Sequence, residues 1–389
     1  MKTSDYFKAG FIEKMMQQHS SGSGIKVLNV NQFPVDNSAS ILSTLNAGTT
    51  GLEIGHFGLE VDYIENETPK TRKMVMKVKP HGLVTAGMLN SLSALCSDEL
   101  NAVYSQFQDL TGFSNTHMRE LEIYQKAPAV FQPEIFGLEV DEPNQIFLIL
   151  MEYLDDVVLI NSVMQPGQWQ PVHIKESLTK IAQWHAEHLS TQDSLDPQYW
   201  SKDVPSKKYM EKMQPLWTAL LNNASKVLPE VYTVENRALL YEAIEKIPQY
   251  WDELEKMPKT LIHNDFNPRN TCFKKGSSGL ELCLYDWELA TFHIPQYDVA
   301  EFLSFILRPE TYHLRKEYLE FYRSELNKLT GKFEDKKKFE KGFFYASLDL
   351  GLHRFGMYTM AHTVSPYPFL PAVLRSYFDS LQSMKHLLP

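Results

Sequence analysis

The stretch His263-Asn264-Asp265-Phe266-Asn267-Pro268-Arg269-Asn270, followed by Leu284-Tyr285-Asp286-Trp287-Glu288, decides both the fold and the chemistry of this chain. Asp265 and Asn270 lie five apart on one polar loop, and Asp286 follows sixteen residues later at the end of an apolar run. Transfer of a phosphoryl group from a nucleotide uses this set of groups. One carboxylate accepts the proton of an attacking hydroxyl, while an amide oxygen and a second carboxylate hold magnesium on the phosphates. The plainer alternative is a polar β-turn in which Asn and Pro serve turn geometry alone. The flanking runs, Thr260-Leu-Ile-His263 and Leu282-Cys-Leu-Tyr-Asp286, predict a short strand pair enclosing the polar residues.

Outward from this island the texture differs on the two sides. Towards the N-terminus, Phe57 to Ile64, Met74 to Val78, Ile135 to Val140 and Ile146 to Met151 read as strands, with a polar turn around Asn66 to Lys70. Glu99 to Gln108 and His117 to Gln125 carry helical spacing. Beyond Tyr153 long amphipathic segments dominate: 174–189, 209–227, 235–256, 312–329, 336–360 and 371–388. Three parts are therefore expected: an N-terminal helix and flexible hinge over 1–24, a sheet-bearing lobe over 25–153, and a mainly helical lobe over 154–389. The class is α+β.

Composition bounds the function. The 389 residues are 43% hydrophobic and 22% charged, as in globular proteins with a substantial core, and the length suggests two domains or lobes. The net charge of −10 argues against a nucleic-acid binder and favours neutral or cationic ligands. The strongest apolar run, Ile146 to Met151, is far short of the roughly 20 residues a membrane helix needs. The first twenty residues mix charges among apolar positions, which predicts an amphipathic helix and a cytoplasmic protein. Cys96, Cys272 and Cys283 form no C-x-x-C pair, so neither a disulfide framework nor structural zinc is expected.

In these motifs the chain resembles the aminoglycoside phosphotransferase and choline-kinase-like small-molecule kinases, which share the bilobal protein-kinase-like fold. Their signature is H-G-D-x-x-x-x-N, an apolar strand ending in D-W/F-E/x, and D-x-A near the start of the next helix. The counterparts are His263-Asn264-Asp265 with Asn270, Asp286-Trp287-Glu288, and Asp298-Val299-Ala300. The resemblance implies that Asp265 is the catalytic base, Asn270 and Asp286 ligate Mg²⁺, and Asp298 braces the loop. Asn264 replaces the usual glycine, and Asn is the residue that best tolerates a left-handed backbone in its place.

Lys77, within the apolar strand Met74-Val-Met-Lys-Val78, stands where kinases keep the lysine that contacts the α- and β-phosphates. Glu120, four residues before Tyr124, matches the family's ion-pair partner, with Glu122 as the fallback. Gly48, Thr49, Thr50 and Gly51 lie between two expected strands, where backbone N–H groups and hydroxyls could cover phosphates. Glu152 and Leu154 fall at the junction of the lobes, where the family's hinge binds the adenine edge. The resemblance thus implies ATP and Mg²⁺ as cofactors and a small-molecule hydroxyl as acceptor, and leaves the oligomeric state open.

Other candidates are weaker. His185 and His188 do not form H-E-x-x-H, and the family's histidine in this helix serves hydrogen bonding beneath the catalytic loop. Cys272 packs in a strand, and no G-x-S-x-G elbow exists. Asp349 and His353, four apart on an apolar helix, are either paired with each other or turned to a ligand, and are expected on the acceptor side. A protein kinase ranks lower, because the twelve positions from Asp286 to Asp298 leave no room for an activation segment. A nucleotide-binding scaffold without phosphotransfer is the alternative from a different class.

Overall fold

Short apolar and alternating runs make β1 (Ile25–Phe33), β2 (Gly55–Glu65) and β3 (Thr68–Pro80) in the computed structural model of the chain, which describes residues 3–20, 24–35, 54–160, 164–276 and 279–389. With β4 (Ile135–Asp141) and β5 (Ile146–Glu152) they form an antiparallel sheet of order β1-β2-β3-β5-β4. Asn66 and Glu67 join β2 to β3, both with left-handed backbones (φ 48° and 65°), as a tight two-residue hairpin turn requires.

One face of this sheet is apolar. Leu59, Val61, Met74, Met76, Leu148 and Leu150 alternate onto it and pack with Ile12, Met15 and Met16 of the helix Ala9–His19. Glu13 of that helix accepts the Val27 N–H at 2.8 Å, where β1 bulges. The predicted N-terminal helix is thus part of the sheet's core.

The chain divides into two units, Met1–Met88 with Phe113–Asp156 and Leu89–Gly112 with Val157–Pro389. The expected division at residue 153 placed 89–112 with the sheet, and the structure places it with the helices. The helix Asp98–Phe107 buries Leu100 and Tyr104 and packs on the helix Gln214–Val227. The Tyr209 hydroxyl adds a hydrogen bond to the Leu110 carbonyl. The helix Gly82–Cys96 was not predicted, because it is apolar around much of its circumference and shows little 3.6-residue contrast.

In the second unit, helix Pro171–Glu187 packs on Arg315–Thr330, and Gln296–Ile306 packs on Lys336–Asp349 and Leu370–Met384. Two segments predicted as single helices are each broken in two. The helices Lys207–Lys212 and Gln214–Val227, and likewise Val234–Glu245 and Ile247–Leu254, meet where Pro215 and Pro248 start a new first turn. The expected helix 336–360 contains a π-helical turn, Leu350–Phe355, before Gly356–Val364. At Gly351 a Cβ would lie 1.7 Å from the Tyr377 hydroxyl, so only glycine permits this approach.

The strand pairing around the polar island also differs from expectation. β7 (Thr260–Ile262) pairs with β10 (Thr291–His293), whereas β8 (Thr271–Gly276) and β9 (Gly279–Leu284) pair with each other, with β6 (Val157–Val158) on the far side of β8. Local closure of a hairpin wins over pairing across the loop. Among the described residues no helix is long and apolar enough to cross a membrane.

Gly137 of β4 lies against the N-terminal helix: an added Cβ would sit 2.8 Å from Met15 Cβ and 3.1 Å from its backbone. Gly137→Ala is therefore expected to cost about 1–3 kcal/mol. The check is a lower urea midpoint with an unchanged slope.

Candidate active site

β7 delivers the loop His263–Asn270, and Asp298, near the start of the helix Gln296–Ile306, holds it. Asp298 Oδ2 accepts the His263 N–H (2.8 Å) and His185 Nε2 (3.0 Å), and Oδ1 accepts the Asn264 N–H (2.8 Å). His185 in turn meets the Tyr322 hydroxyl through Nδ1 at 2.5 Å. His188 instead contacts the carbonyl of Trp184. Asn264 is left-handed (φ 60°), and its side chain donates to the Leu289 carbonyl at 2.8 Å. His263 Nε2 donates to the Tyr285 carbonyl (3.0 Å), and burial lowers its pKa, so the ring is neutral.

These contacts aim Asp265. Its Oδ1 accepts from Asn267 Nδ2 (3.0 Å) and the Tyr358 hydroxyl (2.9 Å) and forms an ion pair with Arg354 Nη2 (3.0 Å). Its Oδ2 receives Asn270 Nδ2 (2.7 Å), which also reaches the Asp265 carbonyl (2.9 Å). Burial alone would raise the Asp265 pKa, but nearby positive charge, that of Arg354 foremost, outweighs it and holds the carboxyl below its ordinary value. The group is an anion with 17% of its side chain exposed, as a proton acceptor needs.

Glu301 lies beneath, one helical turn after Asp298. Its Oε1 is 3.4 Å from Asn267 Nδ2, and Oε2 has no partner among the described residues. Burial, then the charge of Asp265, push its pKa up to about 8 against the opposing pull of Arg354. Two carboxyls near one guanidinium are thereby driven apart, Asp265 ionised and Glu301 protonated at neutral pH.

Asn270 bears on magnesium. Both of its amide contacts to Asp265 use Nδ2, so Oδ1 is the oxygen left to face a cation. Asp286, left-handed (φ 66°) at the end of β9, supplies a half-buried carboxylate. Amide and carboxylate oxygens are the hard donors that Mg²⁺ takes, so these residue types fit the ion.

In the first unit, Lys77 and Lys79 stand two apart on β3 and so share a face. Lys77 Nζ reaches both oxygens of Glu120, at 2.8 and 2.9 Å, and Lys79 joins the same carboxylate. Glu120 is fully buried, whereas Glu122 pairs with Lys126. Glu152 closes β5, its Oε1 accepting the Glu134 N–H at 2.8 Å, and Leu154 follows half-buried. Gly48, Thr49, Thr50 and Gly51 lie outside the described residues.

Asp349 and His353 do not meet. Asp349 Oδ1 accepts from the Tyr250 hydroxyl (2.7 Å) and Trp251 Nε1 (3.2 Å), and Oδ2 contacts His293 Nε2 (3.0 Å). His353 Nε2 contacts the Thr111 carbonyl at 3.1 Å, and burial lowers its pKa to about 4. The π turn between them puts an extra residue into the turn and moves the two side chains to different faces. Arg354 and Glu301 were not picked out from the sequence, and Tyr358 stood out only as one of several aromatics that could cage a quaternary ammonium, not as a partner of Asp265. The available signal was a carboxylate in an apolar helix (Glu301) and a cation four residues before a tyrosine.

The sequence pattern of the ecdysteroid kinase-like family matches residues 57–334, most of the chain. No curated protein matches. Among solved structures, a Ralstonia eutropha JMP134 protein provisionally assigned as an aminoglycoside phosphotransferase is 14% identical, with a TM-score of 0.50. The match covers 97% of this chain and 99% of that one, and shows a shared fold. The Plasmodium vivax ethanolamine kinase is 12% identical, with a TM-score of 0.49 over 90% of this chain and 81% of its own. The resemblance drawn from the motifs thus holds for the fold, which is α+β and protein-kinase-like.

Glu301 yields a pH prediction. Its native pKa lies above that of the unfolded chain, so the native state retains a proton that the unfolded chain releases. Stability contributed by this proton is complete below the ordinary glutamate pKa and is lost as pH rises towards about 8. The groups facing it are Asp265, Arg354, Asp298 and Asn267. Glu301→Gln should flatten the fall of Tm across this window, and an unchanged slope would refute the assignment.

Proposed function

Because the chain belongs to the ecdysteroid kinase-like family, we propose that it is an ATP- and Mg²⁺-dependent phosphotransferase whose acceptor is a hydroxyl group of a small molecule. The observation that carries this reading is the state of Asp265: anionic, partly exposed, and held on both oxygens by the groups of its own loop and of Arg354 and Tyr358.

In this reading Asp265 orients the acceptor hydroxyl and takes its proton as the oxygen attacks the terminal phosphoryl group. Asn270 and Asp286 would hold magnesium, which when bound neutralises phosphate charge. Lys77, tethered by Glu120, positions the nucleotide phosphates, with Glu152 and Leu154 assigned to the adenine edge and Gly48, Thr49, Thr50 and Gly51 to the phosphate cover. Most of the catalysis is positioning and electrostatics, because phosphoryl transfer asks little covalent chemistry of the protein. Asp349 is not assigned to the acceptor, since its oxygens already serve Tyr250, Trp251 and His293. His353, buried and engaged with Thr111, is set aside for the same reason.

The family's description makes an ecdysteroid the first acceptor to test, followed by amino alcohols and sugars. Release of ADP is measured over this panel, with Asp265→Ala as the blank. Turnover should fall by about 10²–10⁴-fold in that variant while its unfolding curve stays cooperative. It should also vanish in wild-type protein on chelation of magnesium and return with added Mg²⁺. Magnesium-dependent ATP binding with no transfer to any acceptor would instead indicate a scaffold.

A further inference from the structure

Asp265 presents two unlike oxygens. Oδ1 accepts two hydrogen bonds, from Asn267 Nδ2 at 3.0 Å and the Tyr358 hydroxyl at 2.9 Å, which take up its two lone-pair directions, and it forms an ion pair with Arg354 Nη2 at 3.0 Å. Oδ2 has one partner among the described residues, Asn270 Nδ2 at 2.7 Å, and so retains an open direction. Two of the three groups on Oδ1 come from outside the catalytic loop. Arg354 lies in the π turn and Tyr358 sits one turn later, with the guanidinium 5.6 Å from the centre of the tyrosine ring.

Arg354 is buried and also donates to the Asn264 carbonyl at 2.7 Å, so it grips the loop at two successive residues. Tyr358 keeps its proton, because burial and then the charge of Asp265 hold its pKa well above the ordinary value. Its hydroxyl therefore remains a donor to the carboxylate. A carboxylate so engaged cannot rotate to exchange its oxygens without breaking several hydrogen bonds.

We propose that Arg354 and Tyr358 are positioning residues that occupy Oδ1 of the base and leave Oδ2 as the oxygen that receives the acceptor's proton. This role rests on the phosphotransfer reading above. In the step itself, the acceptor O–H bond breaks as its oxygen bonds to the terminal phosphorus of the nucleotide. The proton passes to Oδ2, the nucleoside diphosphate leaves with the electrons of the broken P–O bond, and the proton later goes to solvent.

The test uses the full chain with the acceptor found in the ADP-release panel. Tyr358→Phe should lower kcat by about tenfold and Arg354→Met by about a hundredfold, the range expected for charge-assisted hydrogen bonds. KM for ATP and for the acceptor should stay within about twofold, and Arg354→Lys should recover part of the loss, a split that a merely structural role would not produce. If Arg354→Met does not fold, Tyr358→Phe carries the test. Thermal unfolding of Tyr358→Phe, Asp265→Asn and the double variant reads the contact without turnover, and the effects should be non-additive. A kcat preserved in folded Tyr358→Phe, or strictly additive unfolding effects, would overturn the positioning role alone. A wild-type protein that transfers phosphate to no acceptor would overturn the phosphotransfer reading and this role with it.

Discussion

Three donors converge on the buried carboxylate of Asp298: the backbone N–H groups of His263 and Asn264 and the ring of His185. A buried charge persists at tolerable cost only when its lone pairs are served, and here the servers are the first residues of the catalytic loop. The constraint runs both ways. The loop N–H groups need an acceptor where β7 ends, and Asp298 needs donors. Their agreement puts Asn264 in the left-handed region and turns Asp265 outward. His185 and Tyr322 extend the network into two long helices, so the loop is tied to the packing of the second unit.

A second constraint is electrostatic. Arg354 lies close to two acidic groups, Asp265 and Glu301, and can neutralise only one fully. Direct contact gives it to Asp265, and Glu301, joined only through Asn267, keeps its proton. The first unit solves the converse problem, with two lysines of β3 sharing the buried Glu120. In both places the side chains that matter are fixed by pairing inside low-dielectric surroundings, where an unpaired partner would be costly.

Much of the fold could be read from residue patterns. The strands from Phe57 to Met151 lie where the patterning placed them, Phe57 to Ile64 by alternation and Met74 to Val78 and Ile146 to Met151 as short apolar runs. The helix Gly82–Cys96 escaped for the opposite reason, being apolar on most sides. Pairing within the island escaped too: nothing in Thr260 to Ile262 says that its partner is Thr291 to His293 rather than the run ending at Asp286. The π turn at Leu350–Phe355 depends on Tyr377 lying over Gly351, a contact between distant parts of the chain.

The sequence by itself determined the residue set of the candidate site, Asp265, Asn270, Asp286 and Asp298, and the strand that carries Lys77. It could do so because these relations are short in the chain and repeat with backbone geometry. Tertiary structure alone decided that Glu301 is protonated, that Asp349 serves Tyr250, Trp251 and His293, and that Arg354 and Tyr358 hold the base. The hydrogen bonds of Arg354 to the Asn264 carbonyl and of Tyr358 to Asp265 span 90 and 93 residues. Partners at such separation are chosen by how helices pack, and packing leaves no periodic trace in the order of residues.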